Sequence, residues 1–426
     1  MKANNSCPEA ALTQNFTEPV RDAVWGHIYL TPELEALTRT QAFMRLYRIA
    51  QLGPASLCYP GATHTRAAHS LGVYHLTRRL LTTLAGRGAA NWTSACGLRS
   101  MLCAALLHDI GHFPYAHSLK ELPLSEHETL GARLILTEPL KSMVAKTGAD
   151  PELAAAIVMG ESAQANFDKN SGQICSDSGP SSNCNFNSEL KFYRALLSGA
   201  LDPDKLDYLN RDARYCGVPY GSQDVDYIIS ILYPHPERGV EIDSRGIAGV
   251  ESLLFSKYLM YRSVYWHRSV RAATAMIKKA LFAGFSDGVL KAEELYGLDD
   301  YGLFSLLASR KHPLFLLGER VRQGLLYTAV REEPFNSEKH SAFETITKRG
   351  EYEEAFAKEF SCETGRKINA SQVIIDVPER TNFETNLFVR DENLPFGESS
   401  SFFKSATVAS FVKTLRIVRV YVEREA

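Results

Sequence analysis

The 426-residue sequence has no apolar run that approaches the roughly 20 residues needed to cross a bilayer. Its N-terminal stretch, MKANNSCPEAALTQ, lacks the apolar segment that a secretory signal requires. These two absences favour a soluble protein of the cytoplasm, with no membrane partner.

The sequence also lacks a strong net charge, since the formal value is -2 at pH 7. A charge this small gives no general attraction to nucleic acid, and no known nucleic-acid-binding motif is present, so a nucleic-acid partner is not expected. A local basic pocket is still compatible with this balance. The eight cysteines show no CxxC spacing, which argues against a zinc ribbon and a disulfide framework.

What the sequence does contain is mostly helical periodicity. Thr31 and Pro32 predict a helix that runs to about Gln51, and leucines at three- and four-residue spacing predict an amphipathic helix from Arg66 to about Leu84. A further helix, from about Leu98, is apolar on nearly every face and should be buried, with Cys103 as a small core residue. Helices resume over 250–285.

Non-helical segments are fewer. Residues 161–189 are rich in Ser, Asn and Gly and predict a mobile insertion. VEIDSRGIAG predicts a hairpin that turns at residues 244–246. The β-branched stretches 372–377 and 415–422 predict strands of a small C-terminal α+β lobe, with Arg416 and Arg419 on an exposed face. The expected fold class is mainly α, with this lobe appended.

Seven of the twelve histidines fall between His64 and His127, and they include the string LLHDIGHFPYAHS. The alternative for His108 and Asp109 is a histidine at a helix C-terminus followed by a surface aspartate. Because they follow a buried helix, where unpaired polar groups would be costly, metal binding explains them better. His69 and His108 can supply nitrogen, while Asp109 and one aspartate of DPDKLD can supply oxygen. A mixed set of this kind suits Mn, Fe, Co, Ni or Zn, and Mg less well.

These motifs resemble the HD-domain phosphohydrolases and, more narrowly, the deoxynucleoside triphosphate triphosphohydrolases. The matching blocks are RLYRIAQLG, YPGATHTRAAHSLGV, LLHDIGHFPYAHS, EHE, DPDKLDYLNRD and SVYWHR. The resemblance implies a helical HD-domain core over 21–290, after an N-terminal arm (1–20) and before a C-terminal α+β region (291–426). It also implies a homo-oligomer, either a dimer or a tetramer.

The resemblance further implies a set of site residues. The metal ligands would be His69, His108, Asp109 and Asp204, where Asp204 is preferred to Asp202 or Asp207 because the family's ligand directly precedes a phosphate-binding lysine. The catalytic histidine would be His127, with His117 and Glu128 in support. The substrate contacts would be Gln51, Leu52, Arg66, His112, His117, Lys205, Tyr208, Asp212, Lys257 and Tyr265.

Two positions depart from the family pattern. Lys257 stands where some relatives have a phosphate-binding arginine, which keeps the charge but loses the bidentate geometry. Trp266 stands where some relatives have glutamine near the base, so the base preference does not carry over. His64 and His75 are interpreted as structural.

The residues themselves fit such chemistry. Arg66, Lys205 and a metal can neutralise a polyphosphate, and Tyr208 should share a helix face with Lys205. A histidine with a pKa near 6.5 can give a proton to the leaving oxygen, and Glu128 can orient it.

Three functions follow from these residues. The leading hypothesis is metal-dependent hydrolysis of deoxynucleoside triphosphates to deoxynucleoside and inorganic triphosphate. The second keeps the HD site but acts on another nucleotide phosphoester, as a nucleotidase or phosphodiesterase does. The third is a non-catalytic nucleotide sensor or nucleic-acid-binding protein.

Overall fold

Helices dominate the computed structural model, which describes residues 8–160, 186–381, 383 and 386–424. The predicted mainly helical fold is therefore confirmed. The α-helices are Ala10–Thr13, Pro32–Thr38, Gln41–Leu46, Arg66–Gly86, Ala95–Leu107, His127–Ile135, Leu140–Lys146, 151–160, Phe186–Leu197, Pro203–Cys216, Val225–Ser230, Ile247–Met260, Arg268–Ser286, Asp300–Ser309, Leu316–Arg322, Ser337–His340, Ile346–Thr364, Phe396–Ser399 and Ser405–Leu415.

Strands are short and, within the described ranges, form three small sheets. An antiparallel hairpin joins Glu18–Asp22 to Gly26–Leu30. A four-stranded sheet contains Leu232–His235, Gly239–Ile242, Phe388–Val389 and Leu394–Pro395, in that order. A three-stranded antiparallel sheet places Ile417–Val422 between Thr328–Pro334 and Val373–Asp376.

Three helices form the centre of the larger core. Helix Arg66–Gly86 packs against both Ala95–Leu107 and Pro203–Cys216. Side chains cap the first turn of each, since Thr65, Ser94 and Asp202 accept from the backbone N–H three residues ahead. The predicted helix from Arg66 extends to Gly86, and Cys103 is fully buried as expected.

The helix predicted from Thr31 to Gln51 is instead two short helices. Thr31 is the N-cap, with Pro32 at the first helical position, but the first helix ends at Thr38. Thr40 then caps a second helix through Phe43 N, at 3.4 Å, and that helix ends at Leu46. A second N-capping threonine within the periodic pattern explains the break.

The helix expected over 250–285 is also interrupted. Ile247–Met260 passes into a π-helical turn, Tyr261–Tyr265, and a new helix begins at Arg268. The turn shifts the register of the aromatic side chains, and π turns of this kind are frequent at functional sites.

Two predictions near the middle of the chain need correction or fall outside the described residues. The hairpin at residue 240 turns between His235 and Gly239, while Ser244–Gly246 is a 3₁₀ turn that leads into the next helix. Of the predicted insertion over 161–189, residues 161–185 lie outside the described part of the chain. Its last four positions, 186–189, form the start of helix Phe186–Leu197.

The C-terminal strands were predicted correctly, but their arginines are not simply exposed. Arg419 is 9% exposed and pairs with Glu332 at 2.7 Å. Arg416 donates to the Pro378 carbonyl at 2.7 Å and pairs with Glu344. Glu332 is the cross-strand neighbour of Arg419, and Arg416 lies just before the strand, so strand alternation alone could not show these partners.

The larger core draws on both ends of the described chain. Ala11 and Leu12, from the expected N-terminal arm, are buried there, as are Phe396, Phe403 and Leu415. In the described part of the chain, no helix is both long enough and apolar enough to cross a membrane.

Candidate active site

Three separate helices bring a nitrogen, a second nitrogen and a carboxylate together. His69 lies in the first turn of helix Arg66–Gly86, His108 at the end of Ala95–Leu107, and Asp204 in the first turn of Pro203–Cys216. One ligand atom from each lies within 4.8 Å of the others. This is the donor set of a transition-metal site.

The His69 ring is held by a carboxylate on each side. Its Nδ1 lies 2.8 Å from Asp207 Oδ2, and its Nε2 lies 2.9 Å from Asp204 Oδ1. Burial opposes protonation, but the hydrogen bonds and charges of Asp204 and Asp207 outweigh it and raise the pKa of His69 to about 10. The site therefore stabilises positive charge beside Nε2.

His108 presents a free nitrogen to the same point. Its Nδ1 bonds the Ala105 carbonyl at 2.9 Å, which places the proton on Nδ1 and the lone pair on Nε2. That buried Nε2 makes no hydrogen bond, and it lies 3.9 Å from Asp204 Oδ1. An orphaned lone pair beside a carboxylate is costly unless a cation binds there, so the residues fit a divalent metal.

Asp109 lies beside this group. Its Oδ2 accepts from Arg66 Nη1 at 2.7 Å, and its Oδ1 lies 3.4 Å from His108 Nε2 and 3.1 Å from His112 Nδ1. Burial would raise the pKa of Asp109, but His112, His108 and Arg66 hold it well below its usual range. The carboxylate therefore stays charged and can serve as a fourth ligand.

The three aspartates of the DPDKLD segment occupy different places. Asp204 faces the two histidines. Asp202 caps the helix through Lys205 N, at 2.6 Å, and also accepts from Lys205 Nζ at 2.6 Å. Asp207 is fully buried behind His69. The three aspartates thus have separate partners, and of the three only Asp204 groups with His69 and His108.

A cluster of three imidazoles lies next to the predicted metal ligands. His112 Nε2 and His117 Nε2 are 3.1 Å apart, and the rings of His112 and His127 are 3.6 Å apart between centroids. Tyr115 has a left-handed backbone, with φ 64°, and this reversal turns His117 back toward His112. His127 Nδ1 lies 3.1 Å from Glu128 Oε2.

Gly111 allows the His127 helix to approach this turn. A Cβ at position 111 would lie 2.1 Å from the His127 carbonyl oxygen and 2.3 Å from Gly131 N. Backbone meets backbone here, so no side chain can move aside. Glycine within the HDIGH string therefore sets the distance between His112 and His127.

The pKa values of His112 and His127 are shifted strongly downward, whereas the sequence analysis expected a catalytic histidine with a pKa near 6.5. Burial lowers the pKa of His112 to about 4, and Arg66 adds to the effect. Burial and His112 lower the pKa of His127 well below 6.5. His112 and His127 are therefore neutral in the ligand-free protein at neutral pH, while the His117 side chain is exposed and lines the cleft.

The predicted metal ligands and most of the predicted substrate contacts line one cleft of about 1060 Å³. The catalytic candidates His117, His127 and Glu128 line it as well. Of the predicted substrate contacts, the residues that line it are Gln51, Leu52, Arg66, His117, Lys205, Tyr208, Lys257 and Tyr265. His112 and Asp212 do not, because both are buried behind its wall.

Asp212 is held by two neighbours. Its Oδ1 lies 2.8 Å from His64 Nε2, and its Oδ2 accepts from the Tyr265 hydroxyl at 2.6 Å. His64 therefore contacts Asp212, which in turn orients Tyr265. Asp212 does not line the cleft itself, but its hydrogen bond orients the Tyr265 side chain, which does.

Part of the cleft wall is formed by C-terminal residues that were not predicted from the sequence. Glu379, Arg380 and Thr381 follow the strand Val373–Asp376 and close the cleft from the C-terminal side, where Arg271 joins them. Arg271 is buried and forms a bidentate pair with Asp376, with contacts of 2.6 and 2.9 Å. No local motif marks these positions, because the chain meets the site there only through tertiary folding.

The cleft is more basic than the chain as a whole. Eight of the lining residues carry positive charge and five carry negative charge, although the net charge of the protein is -2. Such a concentration favours an anionic ligand. The cationic residues are Arg66, Lys120, Lys191, Arg194, Lys205, Lys257, Arg271 and Arg380.

Comparison with known proteins agrees with this geometry. The HD domain model matches residues 66–166, and the HD-associated region model matches residues 224–425. The uncharacterized Bacillus subtilis protein YwfO is 32% identical over 264 residues, which cover 61% of this chain and 54% of that one. Human deoxynucleoside triphosphate triphosphohydrolase SAMHD1 is 25% identical over 295 residues, which cover 65% of this chain and 44% of that one.

Two solved structures share the fold over nearly the whole chain. A hypothetical protein from Aquifex aeolicus has a TM-score of 0.69 and 26% identity, with 96% of each chain covered. A phosphohydrolase from Bacteroides thetaiotaomicron has a TM-score of 0.69 and 24% identity, with 96% of this chain and 100% of that chain covered.

The chain spans about half the length of several curated relatives that it matches, such as YwfO, at 54%. Both family models match it in sequence order, and the residues of the HD string converge as a metal site requires. The chain therefore contains an HD domain over residues 66–166 and an HD-associated region over residues 224–425, and it resembles the deoxynucleoside triphosphate triphosphohydrolases.

Proposed function

We propose that this protein hydrolyses deoxynucleoside triphosphates between the 5′ oxygen and the α-phosphorus, and so releases deoxynucleoside and inorganic triphosphate. The observation that carries the proposal is the position of the His69, His108 and Asp204 group inside a cation-rich cleft. A metal site alone suits many phosphoesters. Cations spread along the same cleft favour a substrate with several phosphate groups.

The metal would be held by His69, His108, Asp109 and Asp204. When bound, a divalent ion of this kind polarises a phosphoryl oxygen and makes water more acidic. Imidazole ligands favour Mn, Fe, Co, Ni or Zn over Mg.

Phosphate binding falls to residues around the metal ligands. Arg66 is buried, reaches the cleft and is already oriented by Asp109 at 2.7 Å. Lys205 Nζ is held by Asp202 and by the Gly199 carbonyl, at 2.6 and 3.0 Å. Fixed cations of this kind bind phosphate oxygens without a large cost in side-chain entropy.

Proton transfer falls to the imidazole cluster. His127 and His117 line the cleft, and Glu128 lies against His127 Nδ1. Phosphate oxygens next to these rings would favour their protonated form, which opposes the low pKa of the free protein. A protonated His127, or His117 in its place, then gives its proton to the leaving 5′ oxygen.

Tyr208 and Tyr265 would contact the sugar. Their rings lie 6.3 Å apart between centroids, and both face the cleft. Asp212 fixes the Tyr265 hydroxyl at 2.6 Å, so the tyrosine is oriented before substrate arrives.

The test is to incubate the purified protein with Mn²⁺ and each deoxynucleoside or ribonucleoside triphosphate, and to identify the phosphate product. Inorganic triphosphate with free deoxynucleoside supports the proposal. Orthophosphate or pyrophosphate would indicate a different phosphohydrolase. Binding of a nucleotide or polynucleotide without turnover would indicate a sensor.

The quaternary state is part of the same proposal. By resemblance, the active form is a homo-oligomer, a dimer or a tetramer. Sedimentation equilibrium with and without nucleotide measures it, and a monomer that turns over at the full rate would contradict it.

A further inference from the structure

One buried carboxylate, that of Asp207, receives four hydrogen-bond contacts. Trp25 Nε1 donates to its Oδ1 at 2.5 Å, and Arg211 Nη2 donates to the same oxygen at 2.9 Å. His69 Nδ1 and Arg211 Nε both lie 2.8 Å from its Oδ2. Asp207 has no exposed surface, so these contacts satisfy both oxygens and fix the carboxylate in one orientation.

Trp25 reaches this carboxylate from the turn of the N-terminal hairpin, 182 residues away in sequence. Asp22 holds that turn, since its Oδ1 accepts from Val24 N and Trp25 N, both at 2.8 Å. Its Oδ2 accepts from Arg211 Nη1, also at 2.8 Å. Asp22 therefore holds both the backbone of Trp25 and the side chain of Arg211, the two residues that donate to Asp207 Oδ1.

The network determines how His69 faces the metal ligands. Because Asp207 is a carboxylate, it can only accept, so His69 donates its Nδ1 proton to it. The other nitrogen, Nε2, then faces Asp204 Oδ1 at 2.9 Å, and it is the atom that a metal would take as its ligand. A partner that holds the far nitrogen of a ligating histidine also holds the ring plane, and loss of such partners weakens metal binding.

We propose that Trp25 is a positioning residue for the metal centre, which acts by holding Asp207 against His69. This inference rests on the metal site of the proposed function. It assigns to the N-terminal hairpin, which touches neither metal nor substrate, a part in metal affinity.

The competing explanation is that Trp25 only packs against the protein. Its ring lies 6.4 Å from that of His75 between centroids, in a stacked arrangement. Packing would act on the stability of the fold and leave the metal affinity of the folded protein unchanged. The two explanations are separated by a change that removes the N–H and keeps an aromatic ring.

Trp25→Phe makes that change, and Trp92→Phe is its matched control. The indole Nε1 of Trp92 is buried without a hydrogen-bond partner, and its ring lies 6.3 Å from that of Phe192 between centroids. Both substitutions trade a partly buried indole for a phenyl ring. Only the first removes a donor to Asp207.

The experiment is a titration of the metal-free full chain with Mn²⁺, in which free Mn²⁺ is measured by electron paramagnetic resonance. Loss of a group that directly holds a ligand weakens metal binding about 10- to 100-fold; Trp25 is one contact further out, so we expect Trp25→Phe to raise the Mn²⁺ dissociation constant about 10-fold, while Trp92→Phe leaves it unchanged. Equal affinity in the two variants would overturn the proposal, whatever their melting temperatures.

A second variant covers the case in which Trp25→Phe does not fold. Asp22→Asn leaves Trp25 in place and keeps an acceptor for the turn, but weakens the hold on Arg211. A smaller rise in the dissociation constant is expected, and no rise would overturn the proposal. If the parent protein binds no Mn²⁺, the metal site of the proposed function fails, which is a different result.

Discussion

Gly72 and Asp207 are so close that a Cβ atom at Gly72 would lie 1.8 Å from Asp207 Oδ1. The same atom would lie 2.5 Å from Arg211 Nη2. Glycine at this point of helix Arg66–Gly86 is therefore what allows helix Pro203–Cys216 to bring its carboxylate to His69. The close approach of the two helices and the geometry of the metal site have a common cause.

Gly72→Ala should therefore destabilise the fold by about 1–3 kcal/mol, since the buried network has no space for a methyl group. Gly86→Ala, in the same helix, is the control, because no heavy atom lies within 4 Å of its added Cβ. It should stay within about 1 kcal/mol of the parent. Denaturant unfolding measures both, and equal stability of the two variants would contradict the packing described.

Asp204→Ala should remove the bound metal while leaving the helical fold, because Asp204 faces both His69 and His108. Asp202→Asn should keep the metal, since Asp202 contacts Lys205 and the helix N-terminus. Metal content measured by inductively coupled plasma mass spectrometry decides between them. Metal retained in Asp204→Ala would show that another aspartate is the ligand.

His127→Ala should retain metal and lower turnover by about 10²- to 10⁴-fold, the usual contribution of a general acid. His27→Ala is a suitable control, because His27 is exposed on the N-terminal hairpin and does not line the cleft. Steady-state kinetics together with metal analysis makes the comparison. Full turnover in His127→Ala would assign proton transfer to His117 or to water.

The ionisation of the Glu379 carboxyl should make the free energy of unfolding depend on pH. Burial would raise its pKa, but Arg271 and Lys278, each 3.1 Å away, lower it to about 2. A carboxyl whose folded pKa is depressed contributes stability above its unfolded pKa, near 4.5, and this is lost as pH falls toward 2. The contribution is at most about 3 kcal/mol.

Glu379→Gln removes this titration while keeping the shape of the side chain. The difference in unfolding free energy between parent and variant should therefore shrink between pH 6 and pH 3. Urea unfolding at a series of pH values measures it. A difference that is constant over this range would show that Glu379 is not coupled to the two cations.

The positions of His69 and His108 could be anticipated because short motifs place each of them at a helix end, whereas only the resemblance selected Asp204 from the three aspartates of DPDKLD. These side chains come together once their helices pack against one another. The order of the motifs along the chain is what made the sequence resemble the HD-domain phosphohydrolases. Strands 373–376 and 417–422 were also predictable, since β-branched residues are dense there.

Other parts of the site could not be predicted, for physical reasons. Asp207 was recognised only as a rival ligand, because nothing local shows that Trp25 and Arg211 surround it. Glu379 reaches the cleft only through tertiary packing of the C-terminal sheet. The downward shift of the histidine pKa values depends on burial in the folded protein, which periodicity does not measure.

The most direct test of the central claim is hydrolysis of a deoxynucleoside triphosphate in H₂¹⁸O, with the products analysed by mass spectrometry. Attack of water on the α-phosphorus, with departure of the 5′ oxygen, places one ¹⁸O atom in inorganic triphosphate and none in the deoxynucleoside. Label in orthophosphate or pyrophosphate, with a nucleotide as the other product, would contradict the account.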